Sequence, residues 1–493
     1  MKNKAKFSKE YLLLGLISLV SWAGFLVFSS QIAGVGFPLD DAWIHQTFAR
    51  NFAENWTWSF QLGVPSGGST GPLWGFLLSV IHLAGLPAVW GTHVLGYLML
   101  WACSIMGFHI SKTLFAGSKV PALLTGSLVA MEWHLVWSAL SGMETILLIL
   151  LTLSVFCWIL ETKENWWLPG ILTGIAIWVR PDGITLAGPV LLSLVFRKAP
   201  VKKSLQSLFI YLGVVILVAS SYFAFNYFVA GEFWPNTFYA KQAEYIILRQ
   251  TSIYQRYGKL AWQILTGVGI VLVPGLMLEM IDIYKKRDWE RVGILLWAAG
   301  YVGIYAWRLP VVYQHGRYIM PAIPAFLILG LAGLARWLDI KSKRSWKRVL
   351  STAWSATAGA VLLVFWGLGA RAYALDVGVI ETEMVRVARW VEQNTPSDAV
   401  IGAHDIGGLG YYGNRKILDL AGLVSPDVIP FIRDESRLAV YLNESQADYL
   451  VTFPSWYPDL VQGLLPVFQS GGEYSILFGM DQMTVYEWKQ AGE

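Results

Sequence analysis

Residues 37–45 read Phe37-Pro38-Leu39-Asp40-Asp41-Ala42-Trp43-Ile44-His45 and lie just past the first long apolar run of the chain, residues 11–33. At about 1.5 Å per residue, a helix over that run is long enough to cross a bilayer. Two adjacent carboxylates, Asp40 and Asp41, therefore emerge at a membrane face, where desolvation and mutual repulsion disfavour them. We interpret this placement as the sign of a chemical task.

The composition indicates the class of protein. Of the 493 residues, 55% are hydrophobic and only 14% are charged. The mean hydropathy of +0.49 is too high for a water-soluble globule of this length. The sequence therefore predicts a polytopic α-helical membrane protein, and no nucleic-acid partner is expected. Cys103 and Cys157 both lie inside apolar runs, so no disulfide framework or thiolate metal site is indicated.

Basic residues between the apolar runs predict the orientation of the chain. The apolar runs cover residues 11–33, 71–111, 120–139, 143–160, 167–197, 205–230, 261–284, 291–309, 318–338 and 347–370. Lysines and arginines cluster at residues 2–9, 112–119, 197–203, 285–291 and 336–348. Because short basic loops stay in the cytoplasm, the N-terminus is predicted to lie inside and the acidic pair outside.

Two of the apolar runs fit this charge pattern only if they are interrupted. We interpret residues 71–85 as a short interfacial or half-inserted helix that precedes a true span over 91–111. The run 167–197 contains Arg180-Pro181-Asp182-Gly183, which is a turn signal, and we interpret it as two short helices that meet at the outer face. The count becomes eleven spans, with the C-terminus outside.

The composition changes near residue 371. Residues 379–393 have the apolar spacing of a helix. Short β-like runs follow at residues 399–402, 449–453 and 483–488. The sequence thus predicts a transmembrane region, 1–370, followed by an extracytoplasmic α/β domain, 371–493. Within the first region, residues 34–90 form the first external loop, with the acidic motif and interfacial helices.

The unusual polar motifs are all predicted on the outer face, where nucleotide-activated donors are absent. They are Ser66-Gly67-Gly68-Ser69-Thr70, Ser141-Gly142-Met143-Glu144, Arg180-Pro181-Asp182-Gly183, Trp234-Pro235-Asn236-Thr237-Phe238-Tyr239-Ala240-Lys241 and Gln314-His315-Gly316-Arg317-Tyr318. A donor at that face would be lipid-linked, and transfer from a lipid phosphate needs a base and cations that hold the departing phosphate. Asp40 or Asp41 could supply the base. Arg317 and Arg180 suit a phosphate clamp, because guanidinium binds phosphate bidentately.

The acidic motif at 37–51 resembles the signature of C-type (GT-C) glycosyltransferases, and the match extends to the bacterial group related to the terminal arabinofuranosyltransferase of mycobacterial cell walls. Counterparts of further motifs occur in the same order at residues 69–74, 141–145, 180–183, 235–241, 316–318 and 419–423. The resemblance implies the GT-C fold, a polyprenyl-phosphate-sugar donor, a glycan or lipid acceptor in the cell envelope and an inverting single displacement. It places the catalytic base at Asp40 or Asp41 without choosing between them. We favour Asp40 as the base, with Asp41 at the helix start.

The remaining polar residues of these motifs are assigned to the donor and the acceptor. Lys241 joins Arg317 and Arg180 as a donor phosphate ligand. Substrate-binding residues are predicted to be His45, Glu144, Asp182, Asn236, His315 and Tyr318. Ordinary structural roles stay open: an aspartate can cap a helix, Arg180 can pair locally with Asp182, and Arg317 can reach lipid headgroups. No cofactor is required; a divalent ion at Asp40-Asp41 and His45 remains an alternative, although a monophosphate leaving group does not demand one.

Two questions of function stay open from the sequence. The transferred sugar is arabinofuranose in this interpretation, and mannose is the alternative within the same class. A lipid or glycan transporter is the alternative of another class, but transporters place ionisable groups near the bilayer midplane and often in repeated halves. Here the ionisable groups gather at one face. We therefore predict a multi-pass plasma membrane enzyme with its active site on the extracytoplasmic side.

Overall fold

The computed structural model describes residues 8–161, 164–197 and 199–488. Its helices up to residue 344 are α1 (Lys9–Ile32), α2 (Asp40–Asn55), α3 (Pro72–Leu83), α4 (Ala88–Leu114), α5 (Lys119–Met131), α6 (Trp133–Leu140), α7 (Thr145–Glu161), α8 (Trp167–Val179), α9 (Ala187–Val195), α10 (Val201–Ala230), α11 (Asn236–Glu244), α12 (Ile253–Leu265), α13 (Gly269–Lys286), α14 (Trp289–Arg308), the single turn α15 (Tyr313–Gly316) and α16 (Ile323–Trp337). The later helices are α17 (Ser345–Ile380), α18 (Arg386–Asn394), α19 (Glu435–Glu444) and α20 (Glu473–Leu477).

Several helices are long and apolar enough to cross a membrane. By length and composition these are α1, α4, α10, Tyr313–Trp337 and Ser345–Asn394, which makes five. Two bent pairs, α5 with α6 and α12 with α13, raise the number to seven if each pair is one span. Helices α3, α7 and α8 are apolar but shorter than the roughly 20 residues that a span needs. The described residues thus form a multi-pass membrane protein, and the count of eleven spans stays a prediction.

Both interruptions expected inside the apolar runs are present. Helix α3 ends at Leu83 and α4 begins at Ala88, so the run 71–111 holds a short helix followed by a long one. The second interruption lies at Arg180, whose backbone is extended (φ −156°, ψ 140°) between α8 and a 3₁₀ turn over Pro181–Leu186. Gly183 permits this turn, because a Cβ at that position would overlap the carbonyl group of Ala176.

A continuous helix joins the membrane region to the C-terminal region. Helix α17 passes without a break through residue 371, the predicted domain boundary, and ends at Ile380. Residues 371–376 read Arg-Ala-Tyr-Ala-Leu-Asp, which contains no helix breaker. A wide π-helical turn over Glu381–Val385 then leads into α18. The helix predicted over 379–393 is therefore the continuation of a longer one.

Short strands complete the secondary structure. A small hairpin after α2 pairs β1 (Ser59–Gln61) with β2 (Val64–Pro65). The C-terminal strands are β3 (Val400–Ala403), β4 (Lys416–Asp419), β5 (Tyr449–Thr452), β6 (Leu465–Gln469) and β7 (Thr484–Glu487). They form one sheet in the order β4-β3-β5-β7-β6, in which β4, β3 and β5 run parallel and the last two pairings are antiparallel.

The sequence predicts three of these five strands. The β-like runs correspond to β3, β5 and β7. Strand β4 was missed because it has only two apolar residues, Ile417 and Leu418, between a lysine and an aspartate. Strand β6 was missed because it is an exposed edge strand that contains Pro466, a residue that argues against a strand in a sequence read alone.

Glu383, in the turn that follows α17, forms hydrogen bonds with residues next to strands β6 and β7. Its carboxylate is fully buried and accepts hydrogen bonds from the Ser475 hydroxyl (2.6 Å), the backbone N–H of Met483 (2.8 Å) and the Ser470 hydroxyl. A buried carboxylate is tolerated only when its oxygens are satisfied in this way. The C-terminal region is thereby held in a defined position beside α2.

Candidate active site

Asp40 and Asp41 are the first two residues of α2, where carboxylates interact favourably with the helix dipole. Successive residues of an α-helix are about 100° apart around the axis, so the two side chains leave the helix in different directions. Asp40 faces the C-terminal region, and Asp41 faces the membrane helices. The structure thus separates two groups that are equivalent in the sequence.

Asp41 is paired with two cations. Its Oδ2 accepts a hydrogen bond from Arg317 Nη2 at 2.5 Å and lies 3.5 Å from Lys241 Nζ. Burial on its own would raise the pKa of Asp41, but the charges of Lys241 and Arg317 outweigh it and hold the pKa well below its usual range. Asp41 is therefore ionised and stands at the edge of a cationic group.

Both carboxylate oxygens of Asp40 accept hydrogen bonds from backbone N–H groups of the C-terminal region. The N–H of Gly407 donates to its Oδ2 at 2.6 Å, and the N–H of Gly408 donates to its Oδ1 at 2.7 Å. A side chain at Gly407 would overlap the backbone carbonyl of Asp40, so the close approach requires glycine. Burial, together with the charge of Asp405, raises the pKa of Asp40 despite the two N–H donors.

This geometry favours Asp41 over Asp40 as the base, and the choice between them stays a prediction. Both of its oxygens already bind N–H groups, and the residue is only 8% exposed. Asp41 is the carboxylate beside the predicted phosphate ligands. Asp41, and not Asp40, is thus the residue that faces the cations. The sequence did not indicate this, because the loop that contacts Asp40 follows it by more than 360 residues.

Glu144 connects α2 to the interrupted run at Arg180. Its Oε2 lies 3.3 Å from His45 Nε2, and its Oε1 lies 3.8 Å from Arg180 Nε. All three side chains are at most 6% exposed. His45 follows Asp41 by one helical turn on the same face, as its spacing predicts. His45, Glu144 and Arg180 therefore form one buried wall beside Asp41.

Asp182 holds the Arg180 turn against α14. Its Oδ2 lies 3.2 Å from Arg180 Nη2, and it accepts hydrogen bonds from the hydroxyls of Tyr305 (2.7 Å) and Tyr301. Sequence reasoning missed both tyrosines. They lie four residues apart in an apolar helix and cannot be told there from ordinary core aromatics.

Tyr318 lies at the centre of the three predicted phosphate ligands. Its ring centroid is 5.0 Å from Arg317 Cζ, 5.6 Å from Arg180 Cζ and 5.6 Å from Lys241 Nζ. Its hydroxyl accepts a hydrogen bond from Arg317 Nη2 at 3.1 Å. These distances are within the range of cation–π contacts. Cations from three separate parts of the chain therefore converge on one side chain.

Several of these residues line a cavity of about 390 Å³, and Asp41 is next to it through its contacts with Arg317 and Lys241. Its lining includes Glu144, Arg180, Asp182, Lys241, Arg317 and Tyr318, which are six of the residues that the sequence assigned to substrates. Aromatic and aliphatic side chains, among them Trp234, Phe238 and Ile304, form other parts of the wall. A largely apolar cavity of this size with a few convergent charged groups is typical of a small-molecule site.

Arg317 has unused donors inside this site. The residue is 6% exposed, and its Nε and Nη1 are buried without a hydrogen-bond partner among the described residues. A buried guanidinium with unpaired N–H groups is costly unless a ligand completes its hydrogen bonds. The side chain therefore fits an anion that enters the cavity.

His315 does not line the cavity with its neighbours. Its Nε2 lies 2.7 Å from Asp376 Oδ2, an oxygen that also accepts the indole N–H of Trp137 at 2.9 Å. The imidazole packs edge-on against the rings of Trp133 and Trp137. The predicted direct contact of His315 with substrate does not fit this position, because adjacent residues of the α15 turn point to different sides.

Asn236 also lies behind the cavity wall. It begins α11, it is 5% exposed, and its backbone N–H donates to the Gly67 carbonyl at 3.0 Å. The next residue, Thr237, does line the cavity and shares a hydrogen bond of 2.8 Å with Thr70. Asn236 thus contributes to the placement of the loop before α3 and of α11. Among the described residues, no group of three or more His, Cys, Asp or Glu is arranged to hold a metal ion.

Comparisons with known proteins address the fold. Residues 373–487 match a family described as a domain of unknown function (DUF8728). No curated protein sequence matches the chain. The structure is similar to ArnT from Cupriavidus metallidurans bound to undecaprenyl phosphate, with 16% identity, a TM-score of 0.59 and coverage of 96% of this chain and 97% of that chain.

A second similarity is to the oligosaccharyltransferase of Archaeoglobus fulgidus in complex with zinc and sulfate. The identity is 13%, the TM-score is 0.63, and the match covers 90% of this chain and 68% of that chain. These similarities confirm the GT-C fold that the acidic motif predicts. The molecule is thus a multi-pass membrane protein of the GT-C fold, with a cationic cavity at the start of α2.

Proposed function

We propose that the protein is a membrane glycosyltransferase that moves a sugar from a polyprenyl-phosphate donor to an acceptor hydroxyl, with Asp41 as the general base. The observation that carries this proposal is Arg317, which pairs with Asp41 and still has two buried, unpartnered nitrogens. An arginine in that position can hold a donor phosphate and the base at the same time.

The charges around Asp41 suit a lipid phosphodiester. Arg317 and Lys241 contribute two positive charges and Asp41 contributes one negative charge, so this group has a net charge of +1. A sugar linked to a lipid through one phosphate has a single negative charge. Its arrival would neutralise the group. It would also draw the cations away from Asp41, whose pKa would then rise towards the range of an effective base.

The chemistry follows from this arrangement. Asp41 removes the proton from the acceptor hydroxyl as its oxygen attacks the anomeric carbon. The bond between that carbon and the phosphate oxygen breaks, and its electron pair leaves with the phosphate. Arg317 and Lys241 stabilise the charge that develops there. Attack from the face opposite to the leaving phosphate inverts the anomeric centre.

The polar residues around Arg180 would bind the sugar. His45, Glu144 and Asp182 offer carboxylate and imidazole groups that pair well with sugar hydroxyls, and Arg180 is held by Glu144 and Asp182 rather than free. Arg180 would therefore act on the donor from a fixed position. ArnT, which shares the fold, has been solved with undecaprenyl phosphate, and this supports a donor of the same lipid class.

The finer points of the proposal come from the sequence. The transferred sugar is arabinofuranose, with mannose as the alternative, and the acceptor is a glycan or lipid of the cell envelope. The site faces the extracytoplasmic side of a plasma membrane protein with eleven spans, N-terminus inside. Residues 371–493 would help to bind the acceptor, because they contact α2 directly beside Asp41.

The test is transfer of labelled sugar by the purified protein in detergent or nanodiscs. Two donors, polyprenyl-phosphate-arabinofuranose and polyprenyl-phosphate-mannose, are offered separately with envelope glycan as acceptor. We expect transfer from one of them, with inversion at the anomeric carbon. The Asp41→Asn variant should bind donor and fail to transfer.

Exposed carboxylates provide the matched control. Asp427→Asn removes a carboxylate from an exposed turn and should keep the wild-type rate. If neither donor is used, or if the folded Asp41→Asn variant retains the wild-type rate, the proposed reaction is wrong.

A further inference from the structure

Arg308 is a second cationic position in the same cavity. It is the last residue of α14 and lines the cavity together with Lys241 and Arg317. Its Nη2 donates to Gln242 Oε1 at 3.0 Å, and its guanidinium lies 4.7 Å from the ring centroid of Phe238. Since Lys241, Gln242 and Arg308 all line the cavity, the two cations belong to one site.

Arg308 differs from the other cavity cations in its charge balance. Arg317 and Lys241 share Asp41, and Arg180 has Asp182 and Glu144. In the part of the chain that the structure describes, no carboxylate forms an ion pair with Arg308. A positive charge that is fixed in a cavity wall without a counter-charge favours an anionic ligand.

Further arginines surround the same end of α14. Arg249 donates from Nε to the backbone carbonyl of Arg308 at 3.0 Å, and Arg256 Nη1 donates to the carbonyl of Trp307 at 3.3 Å. The described residues show no ion pair for either of them. These contacts fix the helix end in place and increase its positive potential. Three arginines therefore gather at this end of α14, and Arg308 is the one of the three that lines the cavity.

The wall beside Arg308 is apolar and exposed, and in the predicted topology, with a span over residues 291–309, it would face the lipid. Trp307 is 63% exposed, Ile184 is 47% exposed and Ile304 is 39% exposed, and all three line the cavity. Exposed aliphatic and aromatic groups on membrane helices contact lipid chains. A polyprenyl chain whose phosphate lies in the cavity can therefore leave between these side chains, and it then passes Arg308.

The charge of the lipid phosphate changes during the proposed reaction. The donor is a phosphodiester with one negative charge at every pH of interest. The spent lipid is a phosphate monoester, which has a second ionisation with a pKa of about 6 and so approaches a charge of −2 at neutral pH. Once Asp41 has released the proton that it took from the acceptor, the group around it again has a net charge of +1, which matches the donor but not the dianionic spent lipid.

We propose that Arg308, held by Gln242, forms an outer anion site that recognises the dianionic phosphate of the spent polyprenyl monophosphate. This inference depends on the proposed function, since it assumes a lipid phosphate in the cavity. The site would accept the second negative charge as it forms and would draw the phosphate towards the membrane side. Arg308 thereby distinguishes the product lipid from the donor lipid.

The experiment measures equilibrium binding of undecaprenyl monophosphate to the purified protein in detergent between pH 5 and pH 8. Wild-type affinity should rise as the second proton of the phosphate leaves, through about pH 6. In Arg308→Gln the affinity should fall by about tenfold or more at pH 7.5 and much less at pH 5, so that the pH dependence is largely lost. A tenfold change corresponds to about 1.4 kcal/mol.

Two further probes separate the sources of the effect. The methyl diester of undecaprenyl phosphate has one charge at every pH, and its affinity should be lowered less than threefold by Arg308→Gln. That result also demonstrates that the variant is folded. Inorganic phosphate should compete only weakly, since it lacks the chain that passes the apolar wall. Lys259→Gln, an exposed lysine on α12 outside the cavity lining, is the matched control and should behave as wild type.

The outcomes are distinguishable. An unchanged pH dependence in Arg308→Gln would overturn the outer anion site while the proposed function stands. Equal losses for the monoester and the diester would also overturn it, because Arg308 would then hold the phosphate in both states. If the wild-type protein binds neither lipid, the proposed function itself is wrong.

Discussion

The environments of Asp40 and Asp41 are opposite although the residues are neighbours in one helical turn. Asp40 lies in a notch of the C-terminal region, where two glycine N–H groups occupy both of its oxygens. Asp41 is paired with two side-chain cations, Arg317 and Lys241, which line the cavity. Backbone donors cannot move to a substrate, whereas side-chain cations can. From this comparison we propose a structural role for Asp40 and a chemical role for Asp41.

The largest expected effect tests this assignment directly. Asp41→Asn should lower kcat by about 10³-fold, because a general base contributes about 10²–10⁴-fold. Asp40→Asn should lower it by no more than about tenfold, because the amide oxygen still accepts one of the two N–H groups. The measurement is the rate of sugar transfer at saturating donor, with folding checked by gel filtration and thermal unfolding. Equal losses in the two variants would remove the distinction between the two residues.

The next largest effects are expected from changes to Arg317, the partner of Asp41, and to Gly407, the partner of Asp40. Arg317→Lys should lower kcat/KM for the donor by about 10²-fold, since lysine keeps the charge but cannot hold phosphate and carboxylate in a bidentate way. Gly407→Ala, on the Asp40 side, should instead lower the thermal stability, because the added Cβ would overlap the Asp40 carbonyl. Donor kinetics and thermal unfolding are measured for both variants. A Gly407→Ala protein of normal stability and reduced kcat would contradict the structural role of that side.

Sequence reasoning named six residues of the cavity lining, and it could do so because each clue is local. The acidic doublet, the proline turn after Arg180 and the cation at 317 are visible within a few residues, and the motifs together predict the GT-C fold that the similar structures confirm. The partners were not predictable in this way. Asp41 and Arg317 are 276 residues apart, and Asp40 and Gly407 are 367 residues apart. Only the folded chain shows which carboxylate meets which partner.

His315 illustrates the same limit at short range. It lies two residues before Arg317, yet its side chain meets Asp376 on α17 instead of the cavity. Gln314, His315 and Gly316 have φ values of 52°, 58° and 66°, a left-handed turn that is costly for the two non-glycine residues. The His315–Asp376 bond holds this turn, and the turn holds Arg317. We infer that His315 positions Arg317, the partner of Asp41.

A double-variant experiment tests that role. His315→Ala should lower kcat/KM by about tenfold, because small displacements of a phosphate ligand are costly. In an Arg317→Ala background the same change should have almost no further effect, since His315 then has nothing to position. Asp376→Asn should be milder than Asp376→Ala, because its oxygen can still accept the imidazole N–H. Effects that multiply in the double variant would mean that His315 acts independently of Arg317.

The smallest expected effect is a pH dependence on the Asp40 side. Burial and the charge of Asp405 raise the pKa of Asp40, whereas the unfolded chain releases this proton near pH 4. The folded protein therefore binds more protons than the unfolded one above pH 4, and the free energy of unfolding should fall as the pH rises towards the folded pKa. In Asp40→Asn this contribution is absent, so thermal unfolding between pH 5 and pH 8 should depend less on pH than in wild type. Asp427→Asn, which removes an exposed carboxylate, should keep the wild-type dependence of thermal unfolding on pH. If Asp40→Asn also keeps it, Asp40 is ionised in the folded protein. The hydrogen bonds from the two glycine N–H groups would then outweigh the effect of burial on its pKa.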